Sequence, residues 1–342
     1  MTPGADDVWL LDHAEILGGG QRFGLRLVEA LRESGRNAQV AGDLSFPRPA
    51  PWNPAVPPAI QRTRRFLSDL GPEAIVIGNH PRVHAYLYAA APRSGGPAIV
   101  NIAHERESAG RGIARFAYRR FGALVVIGAN AAREYEARLP GVEITKVNNF
   151  LAAADFERAR GERVLSPHHD ERTVGVLARL IPEKGVAELI EELAAPAARP
   201  GWGNLVIAGG RQDAGYANRV ERRIAKLGLA GRVRLIGETD DVPGFLGSID
   251  TLVVPSVGKE AQPTAIIEAL AHGVPVVVRD PLYSPDFDGL PVARYGSVDE
   301  LAAALRAPRS PAAPMGELIA RFGPEQAIAG IDAAAQLARA RS

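Results

Sequence analysis

Two successive rounds of one alternation, a short apolar run followed by a longer amphipathic one, constrain this chain more than any other feature. Runs at 8–11, 38–41, 74–77, 98–102, 123–127 and 143–147 are short and mostly apolar or β-branched. Segments with helical spacing separate them, such as 21–33 and 129–139. The cycle then restarts, with strands expected at 173–178, 204–208, 232–236, 251–254 and 275–278, and helices at 185–193, 214–227 and 264–271. A strand that is apolar at every position is buried on both faces, and strand–helix alternation places such strands in a parallel sheet. The expectation is an α/β chain of two doubly wound, Rossmann-like domains facing a central cleft. A length of 342 residues suits two domains rather than one. The reading divides the chain into 1–155, 156–310 and a helical tail 311–342 able to pack back on the first domain. The polar stretch 151–172, which includes Ser166, His168 and Asp170, separates the two rounds, and a proline-rich loop is expected at 46–58.

Composition narrows the chemistry. There is no cysteine, which removes disulfides, thiol catalysis and Cys-ligated metals from consideration. The net charge is +1, so any anion must be held by a local cluster rather than a global field, and no nucleic-acid partner is expected. No run approaches the ~18 apolar residues of a membrane span. The polar, acidic start from Met1 to Asp7 lacks a basic-then-apolar run. The expectation is a cytoplasmic enzyme without metal or organic cofactor.

In open parallel sheets ligands collect beyond the carboxyl ends of the strands, so the loops there carry the candidates. After the expected strand 251–254 come Pro255, Ser256 and Glu260, then Gln262, Pro263, Thr264 and Ala265 opening a helix that holds Glu268 and stops at Gly273. A proline suits a first helical turn, and the free N–H groups there form an anion site. A carboxylate accepts two hydrogen bonds from a vicinal diol, as a sugar or ribose offers. After the strand 173–178 come Arg179 and Lys184, two cations around one turn followed by Gly185. Such cations can neutralise a departing diphosphate as a divalent metal does elsewhere. A solvated loop in which Glu183 pairs with Lys184 or Arg179 is the plainer reading of those residues. Gly209 and Gly210, and Gly237, Glu238 and Thr239, follow two further strands, where close approach of a ligand and tight turning both explain a glycine.

With these residues assembled, the second half resembles the retaining glycosyltransferases of family 4, which have the GT-B architecture. Their Glu-x7-Glu pattern is matched by Glu260 and Glu268, between Pro255–Ser256 and a run of Ala269, Ala271, Gly273, Pro275, Val276 and Val277. Their diphosphate clamp is matched by Arg179 and Lys184. The first half agrees more loosely, through Gly18, Gly19 and Gly20 before a long helix, through His104 after the fourth strand, and through the turn at Asn148, Asn149 and Phe150. The departures are Ala261, Gln262, Pro263 and Thr264, where the family often has Gly-Phe-Gly, and a short chain. The resemblance implies a nucleotide-diphosphate-sugar donor (UDP or GDP among the bases), retention of configuration, and a small-molecule, antibiotic-type or glycan or lipid acceptor. It assigns the diphosphate to Arg179 and Lys184, sugar hydroxyls to Glu260, and the ribose to Glu268. Phosphate falls to the amides near Pro263–Ala265, and the sugar pocket to His104. Gly19 and Gly20 let the first helix approach the substrates.

His13, Asn79 and His80 end neighbouring strands beside His104, an acceptor-side cluster that also raises a metal reading; no carboxylate–histidine spacing completes a ligand set. Arg111, Arg115 and Arg119 form a stripe beside Phe116 and Phe121. It is read as a solvated helix face, with an anionic membrane surface as the alternative. Two other functions stay open. One is a nucleotide-sugar epimerase or hydrolase of the same fold. The other is a nicotinamide dinucleotide enzyme built on Gly18, Gly20, Gly24 and Asp43, although Asp12–Leu17 separate its strand from its glycines.

Overall fold

The computed structural model describes residues 7–13, 19–48, 53–104, 114–159, 172–258, 260–308 and 310–341. The chain divides into two compact units, one of Met1–Ala152 with Phe322–Ser342, the other of Ala153–Arg321. The first unit runs β1 (Val8–Leu11), α1 (Gly19–Glu33), β2 (Ala38–Val40), α2 (Val56–Ser68), β3 (Ile75–Gly78), α3 (Pro81–Ala90), β4 (Ala98–Ala103), α4 (Ala114–Phe121), β5 (Ala123–Ile127), α5 (Ala129–Arg138) and β6 (Glu143–Val147). The second runs α6 (Ala153–Ala159), β7 (Thr173–Leu177), α7 (Val186–Ala194), β8 (Asn204–Ala208), α8 (Ala214–Lys226), β9 (Val233–Gly237), α9 (Val242–Gly247), β10 (Thr251–Val254), α10 (Thr264–Ala271), β11 (Val276–Arg279), β12 (Val292–Tyr295) and α11 (Val298–Arg306). The chain ends in α12 (Met315–Phe322) and α13 (Pro324–Ala340).

Each unit holds a six-stranded sheet, ordered β2-β1-β3-β4-β5-β6 and β12-β11-β10-β7-β8-β9. Every strand pair is parallel. β3, β4, β5 and β10 are buried at every position, as their mainly apolar runs require, with Asn101 of β4 and Thr251 of β10 buried among them. In each sheet the strand order reverses once, between β1 and β3 and between β7 and β10. At such a point the following helices leave to opposite faces and open a crevice beyond the strands' carboxyl ends. The loops carrying Asp12 and Asn79, and those carrying Arg179 and Glu260, flank these two crevices. Helices cover both faces through interleaved apolar side chains. In the second unit Leu189 and Ile190 of α7 and Val220 of α8 pack on Val176, Ile207 and Val253; in the first, Leu87 of α3 and Leu67 of α2 pack around Val76.

Two details differ from the sequence reading. The expected loop at 46–58 is shorter, because α2 starts at Val56 with Pro57 and Pro58 in its first turn, where proline loses no helical hydrogen bond. β12 was not anticipated. It is an edge strand whose Ala293 and Arg294 are exposed, so it lacks the apolar run that marks the others.

The tail forms α13, which packs on β4, β5 and β6. Its buried residues Ala327, Gly330, Ile331, Ala334, Ala335 and Ala338 recur at helical spacing, and their small side chains bring the helix axis close to the sheet. A forked ion pair, with both Arg36–Asp332 contacts at 2.6 Å, holds its middle. Gln326 accepts from the Asn148 N–H at 3.0 Å and donates to the Asn148 carbonyl at 3.2 Å, fixing its start. A methyl group on Gly330 would overlap the Val147 side chain. Gly330→Ala is therefore expected to lower stability by about 1–3 kcal/mol despite its better helix propensity. Urea denaturation checks this, and an unchanged midpoint would contradict the close packing.

Candidate active site

The crevice of the second unit is built by backbone knitting before any charge is placed. After β7 the chain passes Arg179 and makes a short turn over Pro182–Lys184. It leaves at Gly185 with φ +66, a left-handed conformation that favours glycine. A Cβ at Gly185 would also overlap the Pro255 carbonyl oxygen, so the turn lies directly on the chain leaving β10. The Glu183 carbonyl accepts from the N–H groups of Val257 and Gly258, both at 3.0 Å. Within this frame Lys184 Nζ meets Glu260 Oε2 at 2.6 Å, with the two side chains 19% and 21% exposed. The other Glu260 oxygen, Oε1, is buried and has no hydrogen-bond partner among the described residues. Lys184 thus pairs with a carboxylate from another strand end and not with its neighbour Glu183. The partly buried Arg179 side chain has no partner among the described residues.

Supporting residues hold this frame from behind. Arg279, at the end of β11, donates from Nε to the Pro255 carbonyl at 2.9 Å and pairs with Glu192 at 2.7 Å. Its guanidinium lies 5.0 Å from the centre of the Tyr295 ring. The sequence reading missed Arg279 and Glu192. The available signal was a cation directly after an apolar strand, the same placement that drew attention to Arg179.

The remaining second-unit candidates sit in these connections. A Cβ on Gly209 would overlap the Ala178 carbonyl, and the Gly209 N–H donates to Gly237 at 2.7 Å. Gly209 therefore serves chain-on-chain contact, whereas Gly237, with open space at its Cβ position, serves a left-handed turn at φ +78. Thr239 Oγ1 accepts from the Asp241 N–H at 3.1 Å, and Glu238 is exposed. Gln262 is buried and donates to Asp286 at 3.2 Å. Pro263 precedes α10, leaving the N–H groups of Thr264 and Ala265 at its start without a backbone partner among the described residues. Glu268 lies in the following turn and is partly buried.

The crevice of the first unit is a chain of polar contacts. Asn79 Nδ2 donates to Asp12 Oδ2 at 2.6 Å and to the Gly20 carbonyl at 2.9 Å. Asn79 Oδ1 lies 2.6 Å from His104 Nε2. A Cβ on Gly20 would sit 3.0 Å from the His104 ring, and one on Gly24 would sit 2.6 Å from Asn79. The glycines one turn apart on α1 therefore make room for His104 and Asn79. Gly19 meets nothing, and Gly18 lies outside the described residues. The ring of Phe23 stands edge-on to His104 at 5.2 Å. Burial lowers the His104 imidazole to about 3, and the neighbouring His80 pushes the same way. Burial raises Asp12, against the hydrogen bond from Asn79. His80 accepts from the Arg82 N–H at 3.1 Å and so caps α3, with its ring 5.1 Å from that of His13. No group of three His, Cys, Asp or Glu side chains that could hold a metal ion occurs among the described residues.

Arg111 lies outside the described residues. Arg115, Phe116 and Arg119 are on the exposed face of α4, above buried Ala114, Ala117 and Tyr118.

The two parallel sheets define the GT-B fold, as comparison with solved structures shows. The galactosyltransferase WaaB of the lipopolysaccharide outer core aligns with a TM-score of 0.71 at 17% identity, over 96% of this chain and 99% of that one. Anabaena HepE in complex with UDP-glucose aligns with a TM-score of 0.67 at 16% identity, over 96% and 98%. Residues 171–307, within the second unit, match the family described as Glycosyl transferases group 1. Among curated relatives, the lipopolysaccharide core biosynthesis mannosyltransferase LpsB of Rhizobium meliloti is 26% identical over 174 residues, which are 49% of this chain and 48% of that protein. The chain thus matches about half the length of that relative. The phosphatidyl-myo-inositol mannosyltransferase of Mycolicibacterium smegmatis is 25% identical over 295 residues, 78% of this chain and 73% of that protein.

His84, absent from the sequence reading, is completely buried between Tyr118 (3.0 Å) and the Gly78 carbonyl (2.9 Å). Burial lowers its imidazole to about 3. The folded state therefore binds fewer protons here than the unfolded chain at pH values between about 3 and the ordinary 6.5. Stability is full above that window and falls with pH inside it, by about 1.4 kcal/mol per pH unit for one histidine. Lowering the pH from 7 to 5 should remove about 2 kcal/mol through His84, and His84→Gln should flatten the dependence. Denaturant titrations at both pH values check this; parallel behaviour of the two proteins would contradict it.

Proposed function

We propose that this protein is a retaining glycosyltransferase of family 4 that moves a sugar from a nucleotide diphosphate to an acceptor hydroxyl without a metal ion. The observation that carries the reading is the pairing of Lys184 with Glu260 at a strand-order reversal, where the chain also carries Arg179, without a partner among the described residues, and the opening turn of α10. In this reading Arg179 and Lys184 hold the diphosphate, joined by the amides of Thr264 and Ala265. As the glycosidic bond breaks, negative charge builds on the leaving diphosphate, and fixed cations stabilise it without solvent reorganisation. Glu260 offers its buried Oε1 to sugar hydroxyls, and Glu268 takes the ribose. A leaving-group oxygen accepts the acceptor's proton as the hydroxyl attacks the same face, which makes positioning the protein's main task. Gly209, Gly237, Glu238, Thr239 and Gln262 shape the donor side, mostly by fixing the loops. His104, Asn79, His80 and His13 belong to the acceptor unit.

The relatives named above act on lipopolysaccharide core and phosphatidyl-myo-inositol, and HepE holds UDP-glucose. They support an envelope glycan or glycolipid acceptor over a small natural product, and HepE supports a hexose donor on UDP.

A thermal-shift panel of UDP, GDP, ADP and TDP identifies the base. A ligand at 100 times its dissociation constant is expected to stabilise by about 2.7 kcal/mol. With the donor found, Arg179→Ala and Lys184→Ala should each slow transfer by about 100-fold or more. Glu268→Ala should act chiefly through a raised donor KM, since ribose contacts are alike in ground and transition states. Parental rates in both cation variants would overturn the assignment.

A further inference from the structure

We propose that Asn79 is a positioning residue that fixes His104 as the Nε2–H tautomer, leaving Nδ1 as a hydrogen-bond acceptor for a donating group such as a sugar hydroxyl. The argument is one of hydrogen-bond valence. An amide side chain has a donor end and an acceptor end, and the neighbours decide which is which. The Gly20 carbonyl can only accept, and it lies 2.9 Å from Asn79 Nδ2. Asp12 Oδ2 takes the second proton of the same nitrogen at 2.6 Å. Asn79 Oδ1 must then be the acceptor end, so His104 Nε2, 2.6 Å away, must carry the proton. A neutral imidazole has one N–H, which leaves Nδ1 with a lone pair.

The surroundings enforce both the geometry and the neutral state. Gly20 and Gly24 of α1 lie against the His104 ring and Asn79, where any side chain would displace them. Phe23 closes the ring's edge. Among the described residues the ionisable groups of this crevice are Asp12, His13, His80 and Arg82; burial keeps His104 neutral, and His80 pushes the same way. Among the described residues Nδ1 has no partner. An acceptor-only nitrogen selects a ligand group that donates, and it meets a carboxylate or phosphate oxygen lone pair to lone pair. The ligand part of this inference rests on the proposed function and on the sugar-pocket role that the resemblance gives His104; the tautomer does not.

Long-range proton–nitrogen correlation on the full chain labelled with nitrogen-15 histidine tests the lock at pH 7, with His104→Gln assigning the signals. The wild type should show the Nε2–H pattern. Asn79→Asp keeps an acceptor at the same place and should retain that pattern, whereas Asn79→Ala should give exchange between tautomers. An Nδ1–H pattern in the wild type overturns the lock even if Asn79→Ala fails to fold, as does an unchanged pattern in a folded Asn79→Ala. Calorimetry with UDP and UDP-glucose tests the ligand part. The two ligands' affinities should differ, and Asn79→Ala should shrink that difference by about 10-fold while UDP alone binds as before. A locked tautomer with no such change overturns the sugar contact and leaves the lock standing, so the two failures are told apart.

Discussion

The structure of the second unit depends on one contact, the seating of the Pro182–Gly185 turn against the chain that leaves β10. Gly185 lets two backbones touch, Glu183 ties the loop through two amides, and Lys184 then reaches Glu260. These two loops come from β7 and β10, neighbours in space but far apart in sequence, at the point where the sheet order reverses. Parallel topology therefore brings cation and carboxylate together. In the proposed reading, a diphosphate replaces the carboxylate as the partner of Lys184, and Glu260 is released toward hydroxyl groups. The Arg279–Glu192 pair, which holds the Pro255 carbonyl, would keep the strand end still during that exchange.

The two crevices are built in different chemical currencies. The second uses formal charge, with Arg179, Lys184 and a helix start gathered where a diphosphate would lie. The first uses neutral groups in a fixed donor–acceptor order from Asp12 through Asn79 to His104. That division fits a reaction in which one partner departs with charge and the other must be aimed. Small residues serve both. Gly20 and Gly24 admit polar side chains to the end of α1, while Gly185 and Gly209 admit backbone to backbone.

Much of this was legible in the sequence, for identifiable reasons. β5, β8 and β10 were read with their observed bounds because burial on both faces leaves a mainly apolar run. β12 was missed because an exposed edge strand carrying Arg294 has no such run, and the start of α2 because Pro57 and Pro58 are equally at home in a loop and in a first helical turn. Arg179, Lys184 and Glu260 stood out by their place after strands. The partner of Lys184 did not, since 76 residues separate it from Glu260 and only the sheet order reveals the contact. Asn79 was noted as a strand-end residue, but its role as the hub between Asp12, Gly20 and His104 is a matter of atoms. Asp12, Arg279 and His84 were passed over because each has an ordinary reading alone: a strand-end carboxylate, a surface cation and a helix residue.

A double-mutant cycle on nucleotide binding tests the central contact most directly. Affinity for UDP, or for whichever nucleoside diphosphate the protein takes, would be measured by calorimetry for the wild type, Lys184→Met, Glu260→Gln and the double variant. If Lys184 passes from Glu260 to the diphosphate, Lys184→Met weakens binding and Glu260→Gln does not. The two changes should then fail to add by about 0.5–3 kcal/mol, as for groups in contact. Equal affinities in all four proteins, or strictly additive losses, would contradict the account.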